Sequence, residues 1–314
     1  MILRRLAHLV VVLFFVTLFV ATLTALLPGD PVDAIAGFAS PEQKEALRED
    51  LKLDDPVYVQ YGRWVGNFVT GDLGNYYSVT GGRPVTDRVR DALPVSLQLM
   101  LEAQVLALII AIPLGVFTAY RAGSRFDKSA NATAFGLLAI PNFAVALILA
   151  YYVGVRFGWL PVSGYVKPSD DLVEHLRRMA MPAIALAVGQ IAVYMRLLRS
   201  DMIATLQEDF ILMAKSKGIS PSRVLWRHAL RPSSLTLLTV AGLNVGVLIG
   251  GAVIVEVIFS LPGIGTLLYE AINARQYIAL QSLVAIIAVG YVLINFLVDL
   301  LYAVLDPRIR HARA

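Results

Sequence analysis

Three carboxylates stand inside long apolar runs of this 314-residue chain: Glu102, Glu256 and Asp299. A charge at the centre of a membrane helix costs roughly 2.5–3.5 kcal/mol on insertion scales unless it meets water or a partner, so each marks a path or a paired site. Glu102 lies well inside its run and could line a solute path. Glu256 and Asp299 fall near the ends of theirs, where solvation or pairing satisfies them. The uncharged polar groups Gln98, Gln104, Asn142, Gln190, Asn244 and Asn295 either bond between helices or face such a path. Gln98, Glu102, Asn142, Gln190 and Asn244 are therefore the candidate translocation residues. No chain of carboxylates suggests a proton relay, which weighs against a self-sufficient secondary transporter.

Other chemistries are excluded by type and spacing. The chain has no cysteine, and His8, His175, His228 and His311 are too dispersed to form a metal site, so neither a disulfide nor a metal centre is expected. No GxxxxGK[S/T] loop occurs, so ATP and its Mg would have to be bound by another polypeptide, and no cofactor is expected in this chain. The serine-hydrolase and zinc-protease signatures are missing as well. No catalytic residue is expected.

The elements that must position these groups are read from composition and run length. The chain is 57% hydrophobic and 16% charged, with mean hydropathy +0.68. A soluble domain carries about 25% charge, so most of this one belongs in lipid. A bilayer core needs about 20 apolar residues. The uncharged run from Leu6 to Leu27 meets that length, and further runs lie at about 93–120, 129–157, 179–198, 236–258 and 281–305. The expectation is an all-α integral membrane protein with six spans. Arg4 and Arg5 before the first run could belong to a signal peptide, but Pro28-Gly29-Asp30-Pro31 follows in place of a small-x-small cleavage site.

Net charge is +4 with pI near 9.3. The basic residues flank apolar runs, as membrane orientation requires, and do not call for nucleic acid as a partner. With the N-terminus inside, the inner segments hold fifteen basic residues against five acidic ones, so both termini are expected in the cytoplasm.

Two segments are more than connectors. Residues 28–92 read as a small helical extracytoplasmic domain. Ser40-Pro41-Glu42-Gln43 is a capping box starting a helix to about Leu53, and Asp55-Pro56 caps an aromatic helix ending at Thr70-Gly71. Between the fourth and fifth spans, the loop 199–235 reads as two helices. The first runs from about Met202 to Lys217 and stops at Gly218. The second starts at Ser220-Pro221, carries Leu225, Trp226, Ala229 and Leu230 on one side and Arg223, Arg227 and Arg231 on another, and is broken by Pro232. Such a basic, partly apolar helix could instead lie on anionic lipid. Small residues recur every fourth position at Ala103, Ala107, Ala111, Gly115 and Ala119, and at Gly242, Gly246 and Gly250, which predicts tight helix contacts.

The segment DFILMAKSKGISPSRVLWRHALRP (Asp209–Pro232) resembles the coupling loop of ATP-binding-cassette importer permeases, and specifically their peptide and nickel branch. The Ala214-to-Gly218 spacing and the closing His228-Ala229-Leu230-Arg231 match that branch. Against the general pattern of such loops it departs at Leu212, Met213, His228 and Arg231, departures usual in the peptide branch. YVQYGRW (Tyr58–Trp64), Gly71-Asp72-Leu73-Gly74, LPVSGY (Leu160–Tyr165) and EVIFSLPGIG (Glu256–Gly265) are similar to the first of the two permeases in dipeptide and oligopeptide importers.

The resemblance implies the type I importer permease fold, with a first helix over 1–27, a permease core over 93–305 and a cytoplasmic tail over 306–314. It implies a heterodimer with a second, homologous permease, two ATPase subunits or one fused ATPase, and an extracytoplasmic binding protein that delivers peptide across the cytoplasmic membrane. Nickel, glutathione or another small solute is the alternative cargo. It makes Ala214, Gly218, Ser220, Pro221, Arg223, Leu225, Trp226, His228 and Leu230 the residues that couple to the ATPase.

Overall fold

The computed structural model describes residues 2–26, 30–37, 39–78 and 81–305. Pro28-Gly29 and the tail 306–314 lie outside the described residues, as does the side chain of Asp299. The regular elements of the described chain are helices and one short hairpin, and the chain divides into two compact units. One contains residues up to Ser96 together with Leu261–Leu293, the other Leu97–Ser260 with the chain from Ile294 onward.

The first unit begins with α1 (Ile2–Leu26) and continues through α2 (Pro31–Ala36), α3 (Pro41–Leu51) and α4 (Val57–Thr70). The expected capping box is present: Ser40 Oγ accepts from Gln43 N, and Gln43 Oε1 accepts from Ser40 N at 3.0 Å. Helix α3 ends at Leu51, two residues early, because Lys52 takes a left-handed conformation with φ 49°. At α4 the expected cap is not made. Pro56 occupies the N-cap position, and the Asp55 carboxylate instead accepts from Arg63, about two turns along the chain. Gly71, at φ 90°, closes α4 as expected, since a left-handed C-terminal residue favours glycine. Two of the aromatic residues of α4 pack inward: Tyr61 hydroxyl lies 2.9 Å from Thr17 Oγ1 of α1, and Trp64 Nε1 donates to Ser282 Oγ at 2.9 Å, while Tyr58 is exposed.

The hairpin β1 (Asn75–Ser78) and β2 (Gly81–Pro84) pairs Tyr76 with Arg83 and Tyr77 with Gly82. It leads into α5 (Val85–Tyr120), whose first turns pack Val85, Val89 and Ala92 against Ile264, Leu267 and Ala271 of α12 (Ile264–Asn273) and Leu283 of α13 (Tyr277–Leu305). Arg88 reaches across to Glu270 at 2.6 Å, with its guanidinium 4.3 Å over the Tyr76 ring.

The second unit holds the remainder of α5, then α6 (Arg125–Leu138), α7 (Asn142–Leu149) extended by a π-helical stretch over Ala150–Arg156, and α8 (Leu172–Thr205). After α8 come α9 (Asp209–Ser216), the single turn α10 (Pro221–Arg223), a second π-helical stretch (Val224–Ala229), and α11 (Leu230–Ile258). Its core joins Ala107, Ala111, Tyr194, Leu198, Met202 and Leu237, all fully or almost fully buried. The small stripe of α5 is buried along its length. A Cβ on Gly115 would stand 3.0 Å from Leu198 Cβ, so the approach of α8 requires a glycine there.

Three expectations about the spans are corrected. The third apolar run is not one straight helix: α6 and α7 meet at 97°, because Pro141 cannot donate into a continuing helix and holds the chain extended. The helix expected from Met202 to Lys217 is two helices, since α8 runs on to Thr205 and a turn over 206–208 precedes α9. Pro232 does not break the chain. The helix runs from Pro221 to Ile258, and Pro232 sits in the first turn of α11, just after the π-helical stretch has widened the hydrogen-bond ladder where its missing N–H would fall. By length and apolarity, four described helices could cross a membrane, or five if the bent pair is one crossing. The described side chains of α1 supply a shorter apolar stretch, Val10–Leu26.

Candidate functional site

The loop 199–235 folds as a bracket packed on the core of the second unit. Ile211 and Ala214 of α9 and Val224, Leu225 and Ala229 of the π-helical stretch are all buried in the same core as Leu198 and Met202 of α8. Gly218 holds φ +72° between the two helices, and its N–H donates to Lys215 O at 3.0 Å. Ser220 stands at the N-cap position of α10 with extended backbone and Pro221 at the first helical position, but the Ser220 side chain makes no capping bond, contrary to expectation. Ser233 Oγ donates to Thr205 Oγ1 at 2.8 Å, tying the start of α11 to the end of α8.

Of the residues assigned to coupling, Ala214 and Leu225 form the mount and not the outer face. His228 and Leu230 are half-buried, whereas Arg223 and Trp226 are exposed, with Trp226 lying edge-on to Phe117 at 6.2 Å. Three further apolar residues of α9, Phe210, Leu212 and Met213, are exposed and lie outside the set expected to couple. The pattern hides them, because in a 3.6-residue period Ile211 and Ala214 occupy the buried side and these three the other. Together with Trp226 they give an exposed apolar surface, with Lys215, Lys217, Arg223 and Arg227 also exposed.

The polar groups of the apolar runs are not gathered in one place. Gln98 Oε1 accepts from Tyr165 hydroxyl at 2.6 Å, and Glu102 Oε1 lies 2.8 Å from His175 Nε2. His175 is buried, its Nδ1 sits 2.7 Å from Val166 O, and its ring meets Tyr165 edge-on at 5.7 Å. These four side chains pin the irregular segment 157–171 to α5 and α8. Nδ1 faces a carbonyl and so carries a proton.

A second network joins Tyr194 hydroxyl to Gln104 Oε1 at 3.1 Å and to the Asn244 side chain, while Gln104 Nε2 donates to Ala241 O at 3.2 Å. Asn142 opens α7 and inserts its amide between α8 and α11. A Cβ on Gly189 would lie 3.4 Å from its Oδ1, and one on Gly251 3.3 Å from its Nδ2. Gln190 is buried on α8. Glu256 is fully buried, away from the solvated position one reading of its sequence allowed.

The fold has known counterparts. Residues 111–311 match the family described as binding-protein-dependent transport system inner membrane component, and residues 1–100 match its N-terminal region. The oligopeptide transport system permease protein AppB of Bacillus subtilis (strain 168) is 37% identical over 313 residues, 99% of each chain. The di/tripeptide transport system permease protein DppB of Pseudomonas aeruginosa (strain UCBPP-PA14) is 38% identical over 332 residues, covering 99% of this chain and 98% of its own. A chain of the MetNI methionine ABC transporter in an inward-facing conformation superposes with TM-score 0.56 at 15% identity, over 70% of this chain and 96% of its own. That likeness concerns fold alone. The end-to-end identity with full-length permeases places this chain in the binding-protein-dependent transport system inner membrane component family.

Proposed function

We infer that the chain is the permease subunit of an ATP-driven importer of di- and oligopeptides. The observation that carries this reading is similarity over the whole length to peptide permeases, joined to a loop built as a mounted docking surface. The chain crosses the cytoplasmic membrane six times, through α1, α5, the bent α6–α7 pair, α8, α11 and α13. At about 1.5 Å per residue, the 25 residues of α1 reach about 37 Å, enough for one crossing. Both termini and the loop 199–235 lie in the cytoplasm, following the excess of basic residues there, and residues 28–92 form an extracytoplasmic domain.

Phe210, Leu212, Met213 and Trp226 enter a cleft of an ATPase subunit, with the surrounding lysines and arginines at the rim. Apolar residues with an aromatic anchor at the centre and charge at the edge are the usual anatomy of such contacts. Because α9 and the π-helical stretch are packed on α8 and run into α11, movement of the ATPase is transmitted to both helices as to one body. A second permease completes the pore, and an extracytoplasmic binding protein delivers the peptide. Asn142 and Gln190 remain the polar groups best placed to meet it, since Gln98, Glu102 and Asn244 are held in hydrogen bonds between elements.

The test is Gly218→Pro. Proline fixes φ near −65° and has no N–H, so it cannot replace a residue at φ +72° whose N–H is bonded. ATP-dependent peptide uptake should be abolished while membrane insertion is unchanged. Normal uptake by this variant would remove the coupling assignment.

A further inference from the structure

The first unit contains a cavity of about 690 Å³ between the end of α1, the α3–α4 turn, β1 and the start of α13. Its size falls within the ~300–1,000 Å³ range of small-molecule sites. Three features distinguish it from a packing gap. Both signs of charge line it, with Asp50 and Asp72 as well as Lys52 and Arg275, beside the aromatic rings of Tyr61 and Trp64. Tyr277 also lines it, and the Tyr277 hydroxyl oxygen is buried without a hydrogen-bond partner. A buried hydroxyl left unbonded is unfavourable, so a group that meets it gains affinity.

The third feature is the edge of β1. Gln276 Oε1 accepts from Tyr77 N at 2.9 Å, and Gln276 Nε2 donates to Tyr77 O at 2.8 Å. A side-chain amide thus pairs with Tyr77 as the backbone of an adjoining strand would. Backbone groups alternate along a strand with period two, so the N–H and C=O of Asn75 point to the same edge as those of Tyr77. Asn75 also lines the cavity, with these groups turned away from its β2 neighbour Pro84.

We propose that this cavity is a binding site for a short peptide, which pairs its backbone amide with the Asn75 edge of β1 and sets its charged ends among the cavity's carboxylates and cations. Addition of an extended segment to a free strand edge is an established mode of peptide capture. The site would hold peptide on the extracytoplasmic domain, before translocation, and its ligand class rests on the peptide-import reading.

The test uses the complete transporter, with its partner permease, ATPases and binding protein, in proteoliposomes. The probe is a tripeptide of alanine, photoleucine and alanine, irradiated without ATP and mapped by mass spectrometry. Label is expected within residues 48–64 and 72–77 or on 275–281, displaced by trialanine but not by its acetylated, amidated form. Tyr277→Phe removes only the hydroxyl, and Lys52→Gly keeps the left-handed cap at φ 49° while removing the cation. Each should lower labelling at least threefold. Label confined to other segments, label unaffected by both variants, or label displaced by added phosphatidylethanolamine and not by trialanine would overturn the site. If trialanine uptake is normal while the cavity stays unlabelled, the site fails and peptide import stands. If the complete transporter takes up no peptide, the import reading fails and takes the ligand class with it.

Discussion

Asp127 is a buried and fully satisfied charge of the second unit. Its Oδ1 accepts from Arg199 Nε at 2.5 Å and Asn131 Nδ2 at 2.8 Å, and its Oδ2 from Arg199 Nη2 at 2.7 Å and Gly123 N at 2.8 Å. Four donors fill the four lone-pair positions of a carboxylate whose side chain is 4% exposed. Removing the cation leaves that carboxylate buried with half its donors. Arg199→Met should therefore lower stability by about 3 kcal/mol or more, seen as a fall in the thermal midpoint of the detergent-solubilised protein. Asp127→Asn combined with Arg199→Met should cost less than Arg199→Met alone, because no unpaired charge remains; an additive double variant would disprove the coupling. In the sequence these two residues are 72 positions apart and enter only as separate members of a charge count for orientation. The same limit applies to Gln98 and Glu102. Their type and depth were legible, but a hydrogen-bond partner on a distant segment leaves no periodic signal, so a path-lining role and a pinning role looked alike.

At the scale of elements, legibility depended on whether the signal was local. The capping box at Ser40, the left-handed stops at Gly71 and Gly218, and the buried small stripe of α5 all follow from rules spanning a few residues, and all are present. Pro232 was misjudged because a preceding π-helical stretch, set by the packing of Val224, Leu225 and Ala229, changes what a proline costs. Glycine stripes are likewise unequal. A Cβ on Gly242 would stand 2.6 Å from Val298 Cγ1, whereas one on Gly250 would meet nothing within 4 Å. Gly242→Ala should therefore destabilise by about 1–3 kcal/mol through overpacking and Gly250→Ala should be near neutral, both read from unfolding midpoints. The segment 157–171 gives a second test at this scale. It has no regular structure and is held by Tyr165 to Gln98 and by Val166 O to His175 Nδ1. His175→Ala removes one tie and the edge-on contact with Tyr165, so proteolysis within 158–170 should accelerate several-fold in the detergent-solubilised protein. Unchanged cleavage would show that the remaining contacts suffice.

For the whole molecule, the proposed coupling to an ATPase turns on whether the loop 199–235 acts as a lever or as a tether. A tether would need only its exposed residues, and the length and rigidity of the chain between them would matter little. A lever needs two different things: a surface that the ATPase grips and a mount that does not yield. The structure separates these sets by burial, with Phe210, Met213 and Trp226 outside and Ile211, Ala214, Val224 and Leu225 inside. The two sets should fail differently. Met213→Asp and Trp226→Asp place a charge on the exposed apolar surface, and should reduce co-purification of the ATPase at least tenfold, about 1.4 kcal/mol, while the unfolding midpoint of the permease stays within error. Leu225→Ala leaves the exposed surface intact but opens a cavity under it, at a cost of about 2–5 kcal/mol in packing. It should retain ATPase association, lose stability, and uncouple ATP hydrolysis from peptide uptake, measured as ATP consumed per peptide transported. Equal loss of binding from both classes of variant would mean that the mount and the surface are not separable. Retained coupling in Leu225→Ala, despite the lowered midpoint, would mean that stiffness of the loop does not carry the stroke.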